Sequence, residues 1–205
     1  MTLNELNQML EEQDVQKEEA SKLEQQLATE KNNKKKAIIK EILTYVGIVV
    51  VAILIAQFIT RVLIINAEIP SSSMYPTIMK GDRLFGNRLA YANSTPQRGD
   101  IVIFYYPDNK EEKYVKRVIG LPGETIEIHD KAVYVNGERL DETAYLDIET
   151  YGNFGPYIVP QDSYFVLGDN RADSWDSRYW TNKYVHEDDI IAKAWFRYYK
   201  DFTTY

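Results

Sequence analysis

Three serine hydroxyls held between two prolines, in Ile69-Pro70-Ser71-Ser72-Ser73-Met74-Tyr75-Pro76-Thr77, are the first groups here whose types and spacing could do chemistry. Proline fixes φ and restricts the residue before it, so this loop favours extended and turn geometry over helix. A rigid loop can aim one hydroxyl in a fixed direction, as a nucleophile requires. Serines in a row also make ordinary ST-turns and helix caps, and from these residues alone both readings stand.

The second stretch is Tyr114-Val115-Lys116-Arg117-Val118-Ile119-Gly120-Leu121-Pro122-Gly123-Glu124, in which Lys116 lies inside an apolar strand that ends in a Gly-Leu-Pro-Gly turn. Period two puts Lys116 on the face of Tyr114 and Val118, and Arg117 on the face of Val115 and Ile119. A lysine on a half-buried strand can simply point to solvent. A desolvated one loses several units from its ordinary pKa of about 10.4, and the neutral amine then serves as a general base. The third stretch, Gly168-Asp169-Asn170-Arg171-Ala172-Asp173-Ser174-Trp175-Asp176-Ser177-Arg178, follows a strand. Its opening residues are ordinary turn formers. The loop as a whole holds three acids, two arginines and two serines around Trp175. Such a set can satisfy itself and orient a catalytic group.

A serine hydroxyl needs a base within hydrogen-bond reach. Cysteine is absent, which removes thiol nucleophiles, thiolate zinc sites and disulfides. The two histidines are poorly placed for a triad: His129 at an expected turn, His186 in the acidic run His186-Glu187-Asp188-Asp189. Two histidines also make a multi-histidine metal site an unpromising expectation. Lys116 is the better base. No cofactor or metal is called for by this chemistry. Residues 69–205 carry sixteen basic and twenty-one acidic side chains with no basic stripe, which argues against nucleic acid as a partner.

The elements that must position these residues divide the chain in three. Residues 1–36 are rich in Glu, Gln, Lys and Asn, with leucines that keep no clean heptad; they read as a solvated, partly disordered helix without chemistry. Residues 37–66 read as one membrane-anchor helix. From Ile42 to Thr60 there is no charge, and nineteen residues at 1.5 Å rise span about 29 Å, the depth of the hydrocarbon core. The run is too long and too far from the N-terminus for a cleaved signal peptide. Lys31, Lys34, Lys35, Lys36 and Lys40 precede it, so positive-inside bias predicts a cytoplasmic N-terminus and an extracytoplasmic region from residue 67 to 205. That region reads as mainly β and antiparallel. Strands are predicted over Arg83–Asn87, Gly99–Tyr106, Tyr114–Gly120, Thr125–His129, Lys131–Val135, Ser163–Leu167 and Ile190–Tyr199, with an Asn136-Gly137 type I′ hairpin and no long amphipathic helix between them.

Taken together, Pro70–Thr77, Gly99–Phe104, Tyr114–Glu124 and Gly168–Arg178, in that order after an N-terminal anchor, resemble the bacterial type I signal peptidases, in the single-anchor layout of the Gram-positive branch. The resemblance implies a mainly antiparallel β fold and a membrane-bound serine endopeptidase that removes signal peptides from exported preproteins. It implies Ser73 as nucleophile, Lys116 as general base, and Ser71 with the Ser73 N–H as oxyanion donors. Ser174 corresponds to a serine that orients the lysine. Asp176 and Arg178, with Asp169 and Arg171, correspond to a supporting ion-pair network. Ile69, Pro70, Met74 and Val115 correspond to positions lining substrate pockets that admit small residues at the first and third places before the cut. Residues 1–36 fall outside it, and it leaves any homo-oligomer open.

An extended substrate would add as a strand beside Ile69–Met74, because a helix hides its carbonyls. Ser73 follows Ile65 by eight residues, at most ~28 Å of chain, so the expected groove lies near the lipid bilayer. Trp195, Phe196, Tyr198, Tyr199 and Phe202 could form an interfacial belt. Two other classes remain: a self-cleaving repressor-type Ser/Lys protease, which the anchor and the missing DNA-binding region disfavour, and an inactive tethered β domain for surface assembly, which the presence of Ser73 and Lys116 disfavours.

Overall fold

Between Leu3 and Phe58 the sequence holds no proline and a single glycine, Gly47, and the chain forms one uninterrupted α-helix, α1. The structure, a computed structural model, describes residues 3–146, 148–198 and 202–205; side chains at 3–16, 18–21, 26 and 28 lie outside the described residues. The described apolar side chains of α1 are exposed, Leu43 by 64% and Phe58 by 59%. A core helix of a soluble protein would bury them. Over Lys22–Leu63 the helical segment is long and apolar enough to cross a membrane.

The helix passes through a π-helical turn, Ile59–Leu63, and gives way to a strand, β1 (Ile64–Glu68). The apolar run was expected to stay helical through residue 66, and its last residues do otherwise. Ile64 and Ile65 pair with Asn87 and Gly86, and Ile65 is buried over Gly86. A Cβ at Gly86 would stand 2.8 Å from the Ile65 Cγ2, so the close approach of this strand depends on glycine there.

From Phe58 onward the chain forms its own compact unit of antiparallel strands. They are β2 (Arg83–Asn87), β3 (Ile101–Tyr106), β4 (Asn109–Gly120), β5 (Thr125–His129), β6 (Ala132–Val135), β7 (Glu138–Arg139), β8 (Phe154–Ile158), β9 (Ser163–Leu167), β10 (Val185–His186), β11 (Ile190–Arg197) and β12 (Thr203–Thr204). The larger sheet runs β1-β2-β11-β3-β4-β9-β10, with β12 added to β11; the smaller runs β7-β6-β5-β8. The β6–β7 connection has positive φ at both Asn136 and Gly137, the type I′ geometry expected from Asn-Gly.

Apolar side chains sort onto both faces of the larger sheet. Ile65, Ile69, Met74, Ile78, Leu84, Ile101 and Ile103 form one cluster; Val102, Phe104, Val118, Tyr164, Val166 and Trp180 form the other. A third cluster, Ile119, Phe165 and Leu167 with Ile126, Ile128 and Val133, joins the ends of β4 and β9 to the smaller sheet. Each fully buried Ile, Leu or Phe contributes about 1.5–3 kcal/mol relative to exposure. Strand β4 is therefore covered on both faces along Lys116–Gly120, and both of its central charges are taken inside.

Candidate active site

Strand pairing places Lys116 opposite Val102 and Arg117 opposite Ile101, in the middle of the larger sheet. Lys116 is 3% exposed and Arg117 6%, so the solvent-facing reading of the lysine falls. On one face, Lys116 Nζ lies 2.6 Å from the Oγ of Ser73, which is itself buried. The Ser71 and Ser73 hydroxyl oxygens are 3.2 Å apart. Among the described residues no carboxylate lies within ion-pair distance of Lys116. Burial outweighs the more distant pull of Asp176 and Asp169, and with the repulsion of Arg178 it brings the lysine down to about 8.

The serine loop is fixed from several sides. The Tyr75 N–H donates to the Ser72 carbonyl and Ile78 N–H to that of Met74. The Asn170 N–H donates to the Ser73 carbonyl at 3.0 Å, and the Ser72 hydroxyl to Asp173 at 3.2 Å. Gly168 presses directly on the Ser73 backbone: a Cβ there would stand 2.4 Å from the Ser73 carbonyl oxygen and 2.1 Å from the Ser174 Oγ. Only a residue without a side chain fits.

Charges of the Gly168–Arg178 loop form three ion pairs. Arg117 grips Asp169 with two hydrogen bonds of 2.8 and 2.7 Å and donates a third to the Gly99 carbonyl. Arg178 grips Asp176 at 2.8 and 2.9 Å, and Asp176 accepts the Gly168 N–H at 3.0 Å. Arg171 reaches away from the loop to Glu142 and Thr150. Asp169 also accepts the Thr77 hydroxyl at 2.5 Å, tying this loop to the serine loop.

Ser174 lies with the Ser73 carbonyl against Gly168, and no hydrogen bond joins it to Lys116. It is buried, and its hydroxyl has no hydrogen-bond partner. Arg117, Thr77, Asn170 and Glu142 were not singled out from the sequence as site residues. Arg117 carried a signal, since it sits among Val115 and Ile119 as Lys116 does among its own neighbours. Thr77 and Asn170 lay within the quoted stretches without a role of their own, and Glu142 carried no signal, because long-range pairing is invisible in spacing.

A groove of about 850 Å³ runs past the hydroxyls, lined among others by Ile65, Ala67, Ile69, Pro70, Ser71, Ser73, Met74, Ile103, Tyr114, Val115, Lys116, Asp173 and Trp175. Ile69 and Met74 belong at once to the apolar core and to its wall, and Val115 packs half-buried against the same cluster. Neither histidine approaches: His129 ends β5 with its ring stacked on Tyr134, and His186 caps the short 3₁₀ turn Glu187–Asp189. At the C-terminal end Trp195 and Phe202 are exposed, Phe196 and Tyr198 are partly buried, and Tyr199 lies outside the described residues.

A buried serine hydroxyl facing a lysine without a carboxylate in ion-pair range, beside a groove with one apolar wall, suits acyl transfer. The family model described as signal peptidase, peptidase S26, matches residues 39–199. The chain is 38% identical over 180 residues to signal peptidase I T of Bacillus subtilis (strain 168), covering 83% of this chain and 91% of that one. It is 39% identical over 161 residues to the probable signal peptidase I-2 of Synechocystis sp. (strain ATCC 27184 / PCC 6803 / Kazusa), covering 76% and 71%. A crystal structure of a signal peptidase I from Enterococcus faecalis V583 aligns at 35% identity with a TM-score of 0.42, over 49% of this chain and 97% of that one. The chain belongs to the S26 family of signal peptidases, as a type I signal peptidase and serine endopeptidase that acts on the signal peptides of preproteins.

Proposed function

We propose that Ser73 and Lys116 are a catalytic Ser/Lys dyad, and the 2.6 Å approach of Lys116 Nζ to Ser73 Oγ in a buried setting carries this reading. In the neutral form, Nζ accepts the Ser73 hydroxyl proton as Oγ attacks the scissile carbonyl carbon. The tetrahedral oxyanion receives the Ser71 O–H and the Ser73 N–H, donors that gain strength where charge develops. Collapse breaks the C–N bond, and the Lys116 ammonium returns its proton to the leaving amine. Water then gives a proton to Lys116 and attacks the acyl ester, freeing the Ser73 hydroxyl and the signal-peptide carboxylate. Asp169, Asp176, Arg178 and Arg171 support this set by fixing the two loops, and in this reading Ser174 helps orient the lysine ammonium.

Specificity follows from the groove. An extended chain laid beside Ile69–Met74 presents alternate side chains to one wall. Ile69, Met74 and Val115 leave room there for small residues at the first and third positions before the cut. The apolar segment 37–66 is the membrane anchor, with residues 1–36 cytoplasmic and residues 67–205 extracytoplasmic, on the strength of the exposed apolar surface of α1 there and the lysines before it. The test is a preprotein peptide series with Ala, Ser, Val or Leu at those two positions, with Ser73→Ala as control and with and without lipid vesicles. Cleavage confined to small residues and enhanced by lipid is expected. Equal cleavage of the Leu peptides refutes the pockets, and indifference to lipid refutes the interfacial arrangement.

A further inference from the structure

Arg171 points away from the hydroxyls, and its partners come from another part of the fold. Its guanidinium is fully buried, and a buried cation needs a close counter-charge. That charge is Glu142, in the connection between β7 and β8, joined to Arg171 through both carboxylate oxygens. Thr150, from the same connection, accepts a further hydrogen bond from Arg171 at 2.6 Å. A third side chain of this connection reaches the other side of the site. Tyr145 donates its hydroxyl to Glu142 at 2.8 Å, and its ring lies 4.1 Å from the Arg117 guanidinium. Arg117 in turn is the partner of Asp169 and the neighbour of Lys116 in β4.

Both ends of Arg171 are used. Its Nε donates to the Gly168 carbonyl at 3.1 Å, and its own carbonyl accepts from Arg178 at 2.9 Å. Gly168 lies against the Ser73 carbonyl oxygen and Ser174. One connection of the smaller sheet thus holds the loop behind the nucleophile through Arg171, and flanks the ion pair beside the base through Tyr145. The connection is anchored at its own base by Thr150, whose N–H donates to the Lys131 carbonyl.

We propose that Glu142, Tyr145 and Thr150 are positioning residues for the Ser73/Lys116 pair, bracing the catalytic loops from the smaller sheet. The proposal rests on the dyad reading above and adds residues outside its motifs. The groups that face Lys116 are Asp176, Asp169 and Arg178, with Ser73 and Tyr114 in contact range. All three charged groups belong to ion pairs that the brace touches directly or through one residue. A loosened brace lets water reach the lysine, and less desolvation returns its pKa toward the ordinary ammonium value.

The experiment is the pH dependence of kcat/KM on a preprotein peptide, using the full chain in detergent micelles or vesicles. The variants are Glu142→Gln, Glu142→Asp, Tyr145→Leu and Thr150→Val, each checked for an unchanged circular dichroism spectrum. The expected result for Glu142→Gln is a rising limb of the profile displaced upward by about one unit and activity at pH 7 reduced about ten-fold, in line with that displacement, with partial rescue in Glu142→Asp. Smaller displacements of the same sign are expected for Tyr145→Leu and Thr150→Val, which strand no charge and decide the matter if Glu142→Gln does not fold. A limb that stays in place in the folded variants, whether activity is kept or lost, overturns the brace and leaves these residues a structural role only. Failure of the dyad itself is seen separately, as turnover by Lys116→Arg.

Discussion

Lys116 and Arg117 are successive residues of one strand, both inside the protein, and they are treated in opposite ways. Arg117 points to the face where Asp169 receives it with two hydrogen bonds. Lys116 points to the other, where it meets a hydroxyl. The same contrast extends outward. Arg178 and Arg171 each have a carboxylate partner of their own, Asp176 and Glu142, while the buried lysine has none. A guanidinium cannot shed its proton in a protein, so its burial is tolerable only when paired. An amine can, and the fold leaves it unpaired where neutrality is useful. The carboxylates stand near enough to moderate the lysine, holding it at about 8 rather than lower.

Exchanging the two kinds of cation breaks this division most severely. Lys116→Arg keeps a positive charge facing Ser73 but cannot accept its proton, and a loss of ~10⁴-fold or more in kcat is expected, equal to that of Ser73→Ala. The double variant should lose little more if the proposed dyad acts as a unit. Single-turnover assays check both statements. Depriving a paired cation comes next: Asp169→Ala strands Arg117 in the interior, at an expected cost of about 3–5 kcal/mol in unfolding free energy. Denaturant titration reads that directly.

A smaller effect is expected at the hydroxyl beside the pair. Ser71→Ala removes one proposed oxyanion donor and leaves the proposed base untouched, so kcat should fall ~10²–10³-fold with an unmoved pH limb. The mildest and most telling change is Lys116→Met. The folded pKa of this lysine lies below its unfolded value, so burial of its charge opposes folding in full below about pH 8 and less as pH rises toward 10.5. Replacing it with an apolar side chain of similar length should therefore stabilise the inactive protein near pH 7, by up to about 3 kcal/mol. Destabilisation by Lys116→Met would contradict the view that this lysine is held against its preference.

Much of this was legible in the sequence. β2, β5 and β9 were found at their observed ends, and Asn136-Gly137 fixed its hairpin, because alternation and turn chemistry are local. β1 was hidden inside the apolar run, where Ile64 and Ile65 suit a helix or a strand equally and pairing with Gly86 decides. β8 was hidden by Gly155 and Pro156, residues that weaken any strand expectation. β4 begins at Asn109, earlier than expected, in a charged run made a strand by its pairing with β3. At the site, the three motif stretches converge around Ser73 and Lys116, and the groove takes in Ile69, Pro70, Met74 and Val115. Which acid serves which arginine was not legible: Asp169 and Arg171, two residues apart, have partners fifty-two and twenty-nine positions away.

The central claim is that the base is a desolvated lysine, and the pH dependence of kcat/KM tests it most directly, because that quantity reports ionisations of the free enzyme. Measured on the wild type and on the His129→Gln/His186→Gln variant, kcat/KM should rise with pH through a single midpoint of about 8 in both proteins. A midpoint near the histidine value of about 6.5 that disappears in the double variant would contradict the account.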